Sequence, residues 1–147
     1  MTQTLSLGWT QAEARTRRAS YRRLLAVSLI LQGLIGLYAI LAPAGLAHLL
    51  GLPPAFPSGW TRAWGAMLLL VTLLSLPGQI EPLRVRWPNI VGILGRAGTA
   101  GLFLALGLCG GAAVRGFLWL ALLDGAFALA LAVSYFRLFR AEIMSRP

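Results

Sequence analysis

The sequence predicts an all-α protein, an integral membrane bundle of four transmembrane helices that forms one domain over residues 1–147. Three observations lead to this fold class. Hydrophobic residues make up 58% of the chain and charged residues 12%, against roughly 45–50% and about 25% in soluble domains. The apolar residues are gathered in four continuous runs, each long enough to cross the hydrocarbon core of a bilayer. The charged residues are mostly arginines that lie beside these runs.

The composition also excludes several other classes of protein. One cysteine and one histidine are too few for a disulfide scaffold or a zinc module. The runs are continuously apolar, whereas the strands of a transmembrane β-barrel alternate between apolar and polar residues. The net charge of +9 would favour a nucleic-acid partner in a soluble domain. Because the arginines flank apolar runs, we expect them to orient membrane helices, and we expect no nucleic-acid partner.

Helix-breaking residues separate the four runs. Pro43 ends the first run and Pro77-Gly78 ends the second, as expected where a helix stops. The predicted spans cover about residues 24–42, 60–76, 90–109 and 117–136. Between the first two spans, the AGLAHLLG segment around His48 predicts a short helix at the membrane interface. The connections are short, so neighbouring helices are expected to pack as antiparallel hairpins.

Residues 1–23 are predicted to form a basic juxtamembrane helix. The spacing of Thr10 and Glu13 fits a capping box, which predicts that this helix begins at about Gln11. Four arginines are expected to contact anionic lipid headgroups, each with about 1 kcal/mol of surface attraction. These are Arg15, Arg18, Arg22 and Arg23. The first apolar run is longer than that of a signal peptide, so we expect it to be retained as a span.

The distribution of arginines predicts the orientation of the bundle. Ten of them fall on one predicted side, namely Arg15, Arg17, Arg18, Arg22, Arg23, Arg84, Arg86, Arg137, Arg140 and Arg146. The opposite side has Arg62 and Arg115, and Arg96 lies within the third span. Since positive charge is retained on the cytoplasmic side of membrane proteins, both termini are predicted to be cytoplasmic.

Arg96 and Asp124 form a predicted polar pair inside the membrane. Asp124 is the eighth residue of the fourth span and Arg96 the seventh of the third. A charge at such a depth costs several kcal/mol unless it is neutralised, paired or hydrated. One interpretation is an ion pair that joins the third and fourth helices. The other is a functional centre for a proton, an ion or a quinone headgroup.

Small residues recur every four positions on the last two spans, and they predict close helix packing. On the third span they are Ala97, Gly101, Ala105 and Cys109. On the fourth they are Ala126, Ala130 and Ser134. Packing between helices of one chain is the favoured interpretation, and a dimer face is the alternative.

Aromatic residues lie near the predicted span boundaries, where aromatic belts form at the membrane interface. They are Trp60, Trp64, Trp87 and Trp119, with Tyr21 and Tyr135 at the inner edge.

Side chains that could act in catalysis or bind a metal are scarce. His48 and Cys109 have no second residue of their kind, so the sequence predicts no cofactor, no metal site and no enzymatic activity.

Four short motifs lie between about residues 22 and 140. They are P-x-x-L-A-x-L-L-G-L-P from Pro43 to Pro53, W-x-R-x-x-G at Trp60, Arg62 and Gly65, an acidic-Pro-x-Arg loop at Glu81, Pro82 and Arg84, and D-x-x-F-A at Asp124, Phe127 and Ala128. Together they resemble small four-helix bacterial inner-membrane proteins of the DoxX-like kind. The resemblance implies a multi-pass protein of the bacterial inner membrane. Some DoxX-like proteins are linked to thiosulfate or quinone oxidoreduction, but no residue pattern here carries that activity over.

Three functional hypotheses follow. The first is a non-catalytic accessory or scaffolding subunit of a larger membrane complex, for instance a respiratory or photosynthetic one. Its partners would be other membrane subunits or further copies of the chain, together with anionic lipids. The second is a small transporter or proton-coupled carrier centred on Arg96 and Asp124. The third is a DoxX-like, quinone-linked redox subunit.

Overall fold

The computed structural model describes residues 2–53, 57–111 and 114–144, with side chains from residue 11 onward. These ranges contain five helices and no strand. The helices are α1 (Thr2–Leu41), α2 (Pro43–Leu49), α3 (Ser58–Ile80), α4 (Arg86–Cys109) and α5 (Phe117–Met144). The all-α class is therefore confirmed. The short α2 includes His48, which is exposed.

Four of the helices, α1, α3, α4 and α5, are long and apolar enough to cross a membrane. Their outward faces are covered with large apolar side chains, including Ile30, Leu34, Leu73, Leu74, Leu94 and Leu129. Soluble monomers rarely expose apolar surface on this scale. Both features are typical of a multi-pass membrane protein.

The four long helices form a ring. Helix α1 packs against α3 and α5, and α4 packs against α5 along much of its length. Helices α3 and α4 touch over a much smaller part of their length. The closest approach of α1 and α3 is at two glycines, Gly36 and Gly65, because a side chain on either would meet the other's carbonyl oxygen. The ring is therefore tight between α1 and α3 and looser between α3 and α4.

Three helices begin earlier than the sequence predicts, α3 by two residues and α1 and α4 by more. Helix α1 begins at Thr2 instead of Gln11, so the juxtamembrane segment and the first span are one 40-residue helix about 60 Å long. The predicted capping box is wrong because Thr10 lies inside this helix, and Glu13 lies 3.4 Å from Arg17 instead. Helix α4 begins at Arg86, with Pro88 in its first turn, where the missing N–H of a proline costs nothing.

Two helices also end later than predicted. Helix α3 continues through Pro77 to Ile80. Pro77 lacks its own N–H, yet its carbonyl still accepts a bond from the Glu81 N–H at 3.3 Å, so the helical turn is completed. Helix α5 extends to Met144, and its added turns pack back onto the bundle because Leu138 is fully buried in the core.

The predicted small-residue stripe on α4 does not lie between helices of the chain. Ala97, Gly101, Ala105 and Cys109 are exposed on the outside of α4, and on α5 Ala126 is exposed while Ala130 and Ser134 are half-buried. The contacts between these helices lie elsewhere. A side chain at Gly125 would lie 3.7 Å from Ala100, and one at Gly107 would meet Leu118 at 2.6 Å. The interpretation as packing within the chain is therefore wrong for the α4 stripe.

The aromatic residues divide into two groups. Trp60, Trp87 and Trp119 are more than 70% exposed near helix ends. Trp64 instead packs inside the bundle, with its ring centroid 5.8 Å from that of Phe103. Tyr21 is fully buried in the core instead of lying in a belt. Spacing along the chain could not separate these cases, since it does not fix which face of a helix turns inward.

Most of the arginines assigned to one side lie at one end of the bundle. There Arg18 of α1 lies 3.2 Å from Glu142 of α5, and Arg86 of α4 stacks over the Phe139 ring at 5.4 Å. The four arginines expected at lipid headgroups, Arg15, Arg18, Arg22 and Arg23, are all exposed along α1. Arg146 lies outside the described residues.

Candidate functional site: a buried arginine cluster

Arg96 occupies the middle of α4 and is only 9% exposed. It is the eleventh residue of a 24-residue helix, about 15 Å along the axis from Arg86. A guanidinium so far from the ends of an apolar helix needs partners for its charge and its five N–H donors. The surrounding helices supply them.

Arg96 bonds to two other helices at once. Its Nη1 donates to Asp124 Oδ1 of α5 at 3.2 Å, which forms an ion pair. Its Nη2 donates to the Ser28 carbonyl at 3.4 Å and to Gln32 Oε1, both on α1. The guanidinium also lies over the Phe127 ring of α5 at 5.7 Å. The cluster thus joins α1, α4 and α5. Of these, α1 and α4 lie opposite each other in the ring.

The structure brings together Arg96 and Asp124, the two residues that the sequence singled out. Sequence reasoning missed Gln32 and the Ser28 carbonyl. Gln32 is the one strongly polar side chain in the first apolar run. Its position was a usable signal that it takes part in the polar cluster. Since buried polar groups seek partners, an amide in that position should have been placed with the pair.

A small cavity of about 20 Å³ adjoins the cluster. Ser28, Gln32, Arg96 and Asp124 contribute to its lining. The Ser28 hydroxyl is buried and lacks a hydrogen-bond partner among the described residues. This space is large enough for one water molecule, and polar groups on several sides could hold it.

A larger groove of about 300 Å³ lies between α3 and α4, which touch only over a small part of their length, and residues of α1 and α5 also line it. Most of its lining is apolar, including Leu29, Met67, Leu74, Val91 and Leu131. Arg96 and Asp124 line it as well as the small cavity. The ion pair is therefore within reach of a molecule that enters between α3 and α4.

A second polar cluster closes the end of this groove nearest the turn between α3 and α4. Tyr21 of α1 donates its hydroxyl to Asn89 Oδ1 at 2.9 Å. Asn89 Nδ2 in turn donates to the Pro82 carbonyl at 3.0 Å, and more weakly to those of Gly78 and Val85. Asn89 is 3% exposed. Sequence reasoning did not single out this residue.

Other candidate residues lie apart from these clusters. Cys109 is exposed at the end of α4. Among the described residues, no three side chains of histidine, cysteine, aspartate or glutamate come together as a metal site would require.

The fold and the cluster together define a class: a bundle of four long apolar helices joined at mid-length by an arginine–aspartate pair. Comparison with protein-family models, curated proteins and solved structures found no match to the chain. The resemblance to DoxX-like proteins therefore stays a prediction.

Proposed function

We propose that this chain is a multi-pass protein of the bacterial inner membrane, with both termini in the cytoplasm. It acts as a non-catalytic accessory or scaffolding subunit of a larger membrane complex. Four helices with apolar outer faces support the insertion. The short connections between these helices leave almost the whole surface available to lipid and to neighbouring subunits.

One observation carries the scaffolding role, namely that the intramembrane charges are used to hold helices together. Arg96 bonds to Asp124, Gln32 and the Ser28 carbonyl, so the charge of the guanidinium is compensated within the chain. Bonds from one charged side chain to two other helices favour one arrangement of those helices, and this supports a structural role for the pair. A rigid bundle is what a scaffolding subunit needs to present a constant surface to its partners.

Purification of the tagged chain in a mild detergent, followed by mass spectrometry, tests this proposal. We expect specific membrane subunits, or further copies of the chain, to co-purify in fixed ratio. Membranes that express the untagged chain are the matched control. Recovery of a monomer with lipid alone, from cells in which the chain is functional, would contradict the scaffolding role.

The second candidate function is a proton-coupled carrier, and the groove that reaches Asp124 is the observation in its favour. Asp124→Asn distinguishes the two, because asparagine keeps the size and can still accept a bond from Arg96. It cannot exchange a proton or carry the charge. We expect retained function per amount of folded protein, measured by growth alongside the amount of folded protein in the membrane. Normal abundance with complete loss of function would favour the carrier.

A further inference from the structure

The groove between α3 and α4 has the properties of a ligand site within the bilayer. Binding pockets for small molecules typically begin at about 300 Å³, with apolar walls and a few placed polar groups. The groove has this volume and such walls. Its flanking residues Met67, Leu74 and Val91 are more than half exposed, so it opens on the apolar outer face of the bundle.

The polar groups of the groove define the head of its ligand. Arg96 has five N–H donors and uses them in three bonds to Asp124, Gln32 and the Ser28 carbonyl. Unused donors of this guanidinium can therefore bind an acceptor. The charge of Arg96 is already neutralised by Asp124, so a charged head would add an unpaired charge at membrane depth. An uncharged head is favoured.

The groove also has hydrogen-bond acceptors. Ser75 and Thr99 line it, and each donates its hydroxyl hydrogen to a carbonyl of its own helix, at 2.7 Å and 2.5 Å respectively. Their oxygens can still accept. A head that both donates and accepts, such as a hydroxyl, satisfies both sides of the groove, whereas an ether or a carbonyl accepts alone.

We infer that the α3–α4 groove binds a long-chain lipid-like molecule with an uncharged hydroxyl head, which lies at Arg96 while its apolar chain lies along the groove. A phospholipid does not fit this description, since its charged head belongs at the membrane surface. This inference goes beyond the proposed function, and it depends on membrane insertion but not on any partner subunit.

Two glycines on α4 provide a matched pair of variants for the test. Apart from the neighbouring backbone of α4, a Cβ atom on Gly95 or on Gly98 would meet nothing within 4 Å, so both positions have open space for a side chain. Gly95 lines the groove, and Gly98 does not. Gly95→Leu therefore obstructs the groove, while Gly98→Leu adds the same side chain three residues away.

Native mass spectrometry of the purified full chain measures binding of three C18 probes: oleyl alcohol, oleate and 1-octadecene. We expect one oleyl alcohol per chain, with weaker binding of the other two. We expect binding of the alcohol to fall at least about tenfold in Gly95→Leu, a loss of about 1.4 kcal/mol, and to be unchanged in Gly98→Leu. Equal binding of 1-octadecene, stronger binding of oleate, an equal loss in both variants or no binding at all would each overturn the inference.

Discussion

At the scale of single residues, the cluster around Arg96 shows how a charge is accommodated inside an apolar bundle. The guanidinium is bonded to a carboxylate, an amide oxygen and a backbone carbonyl, and these acceptors belong to two different helices. Removing Arg96 takes this donor from all three acceptors, and removing Asp124 leaves the guanidinium without its counter-charge. The effect of a substitution here is therefore dominated by the groups that remain.

Asp124→Ala is expected to destabilise the protein more than the double variant Arg96→Ala, Asp124→Ala, because the single variant leaves an uncompensated guanidinium. Measured couplings between polar groups in membranes average about 0.6 kcal/mol, and we expect at least this value for a charged pair. A double-mutant cycle of unfolding free energies in detergent measures it. The exposed pair Glu13–Arg17 is the control, with a smaller coupling. Additive effects at Arg96 and Asp124 would contradict the pairing.

Asn89→Ala is expected to lower the unfolding free energy by about 1–3 kcal/mol, the cost of buried polar groups left unpaired. The groups concerned are the Tyr21 hydroxyl and the Pro82 carbonyl. Thr16→Ala is a suitable control, since Thr16 is exposed and bonds within its own helix turn. If both variants unfold at the same denaturant concentration, the Tyr21–Asn89 contact does not stabilise the turn between α3 and α4.

At the scale of helices, small residues matter where backbones approach, and these positions differ from the stripe that the sequence displays. The contact of α1 with α3 depends on Gly36 and Gly65. The exposed stripe Ala97, Gly101 and Ala105 lies on the outside of α4 instead. A four-residue repeat identifies a face of a helix, but the neighbouring helix decides whether that face is covered.

Gly65→Ala is expected to push α1 and α3 apart. The new methyl group would lie 2.6 Å from the Gly36 carbonyl oxygen and 2.8 Å from the Ala39 side chain. Overpacking of this kind costs about 1–3 kcal/mol. Gly98→Ala is the matched control because its methyl group meets open space, and alanine favours a helix over glycine. Thermal unfolding in detergent distinguishes them, and a Gly65→Ala protein as stable as Gly98→Ala would refute the close contact.

At the scale of the whole molecule, the two ends of the bundle differ strongly in charge. Arginines from α1, α4 and α5 and from the turn before α4 gather at one end, whereas Arg62 and Arg115 lie at the other. This asymmetry supports the proposed orientation, since arginine-rich ends are retained in the cytoplasm.

Reporter fusions after Pro147 and near Ser58 are expected to report opposite compartments, with the Pro147 fusion cytoplasmic. A paired phosphatase and fluorescent-protein reporter at each site provides the internal control. A periplasmic signal from Pro147 would contradict the orientation, and equal signals at both sites would contradict the three spans predicted between Ser58 and Pro147.

The sequence alone determined the helical class, the four long apolar helices and the pairing of Arg96 with Asp124. These properties depend on local composition and on the cost of burying charge, both of which can be read along one chain. Tertiary structure decided which faces turn inward. It buried Tyr21 and Asn89, brought Gln32 to Arg96, left the Ala97 stripe exposed and opened the groove between α3 and α4. Those outcomes depend on how helices rotate and diverge, and an apolar helix that is nearly uniform around its axis does not specify this by itself.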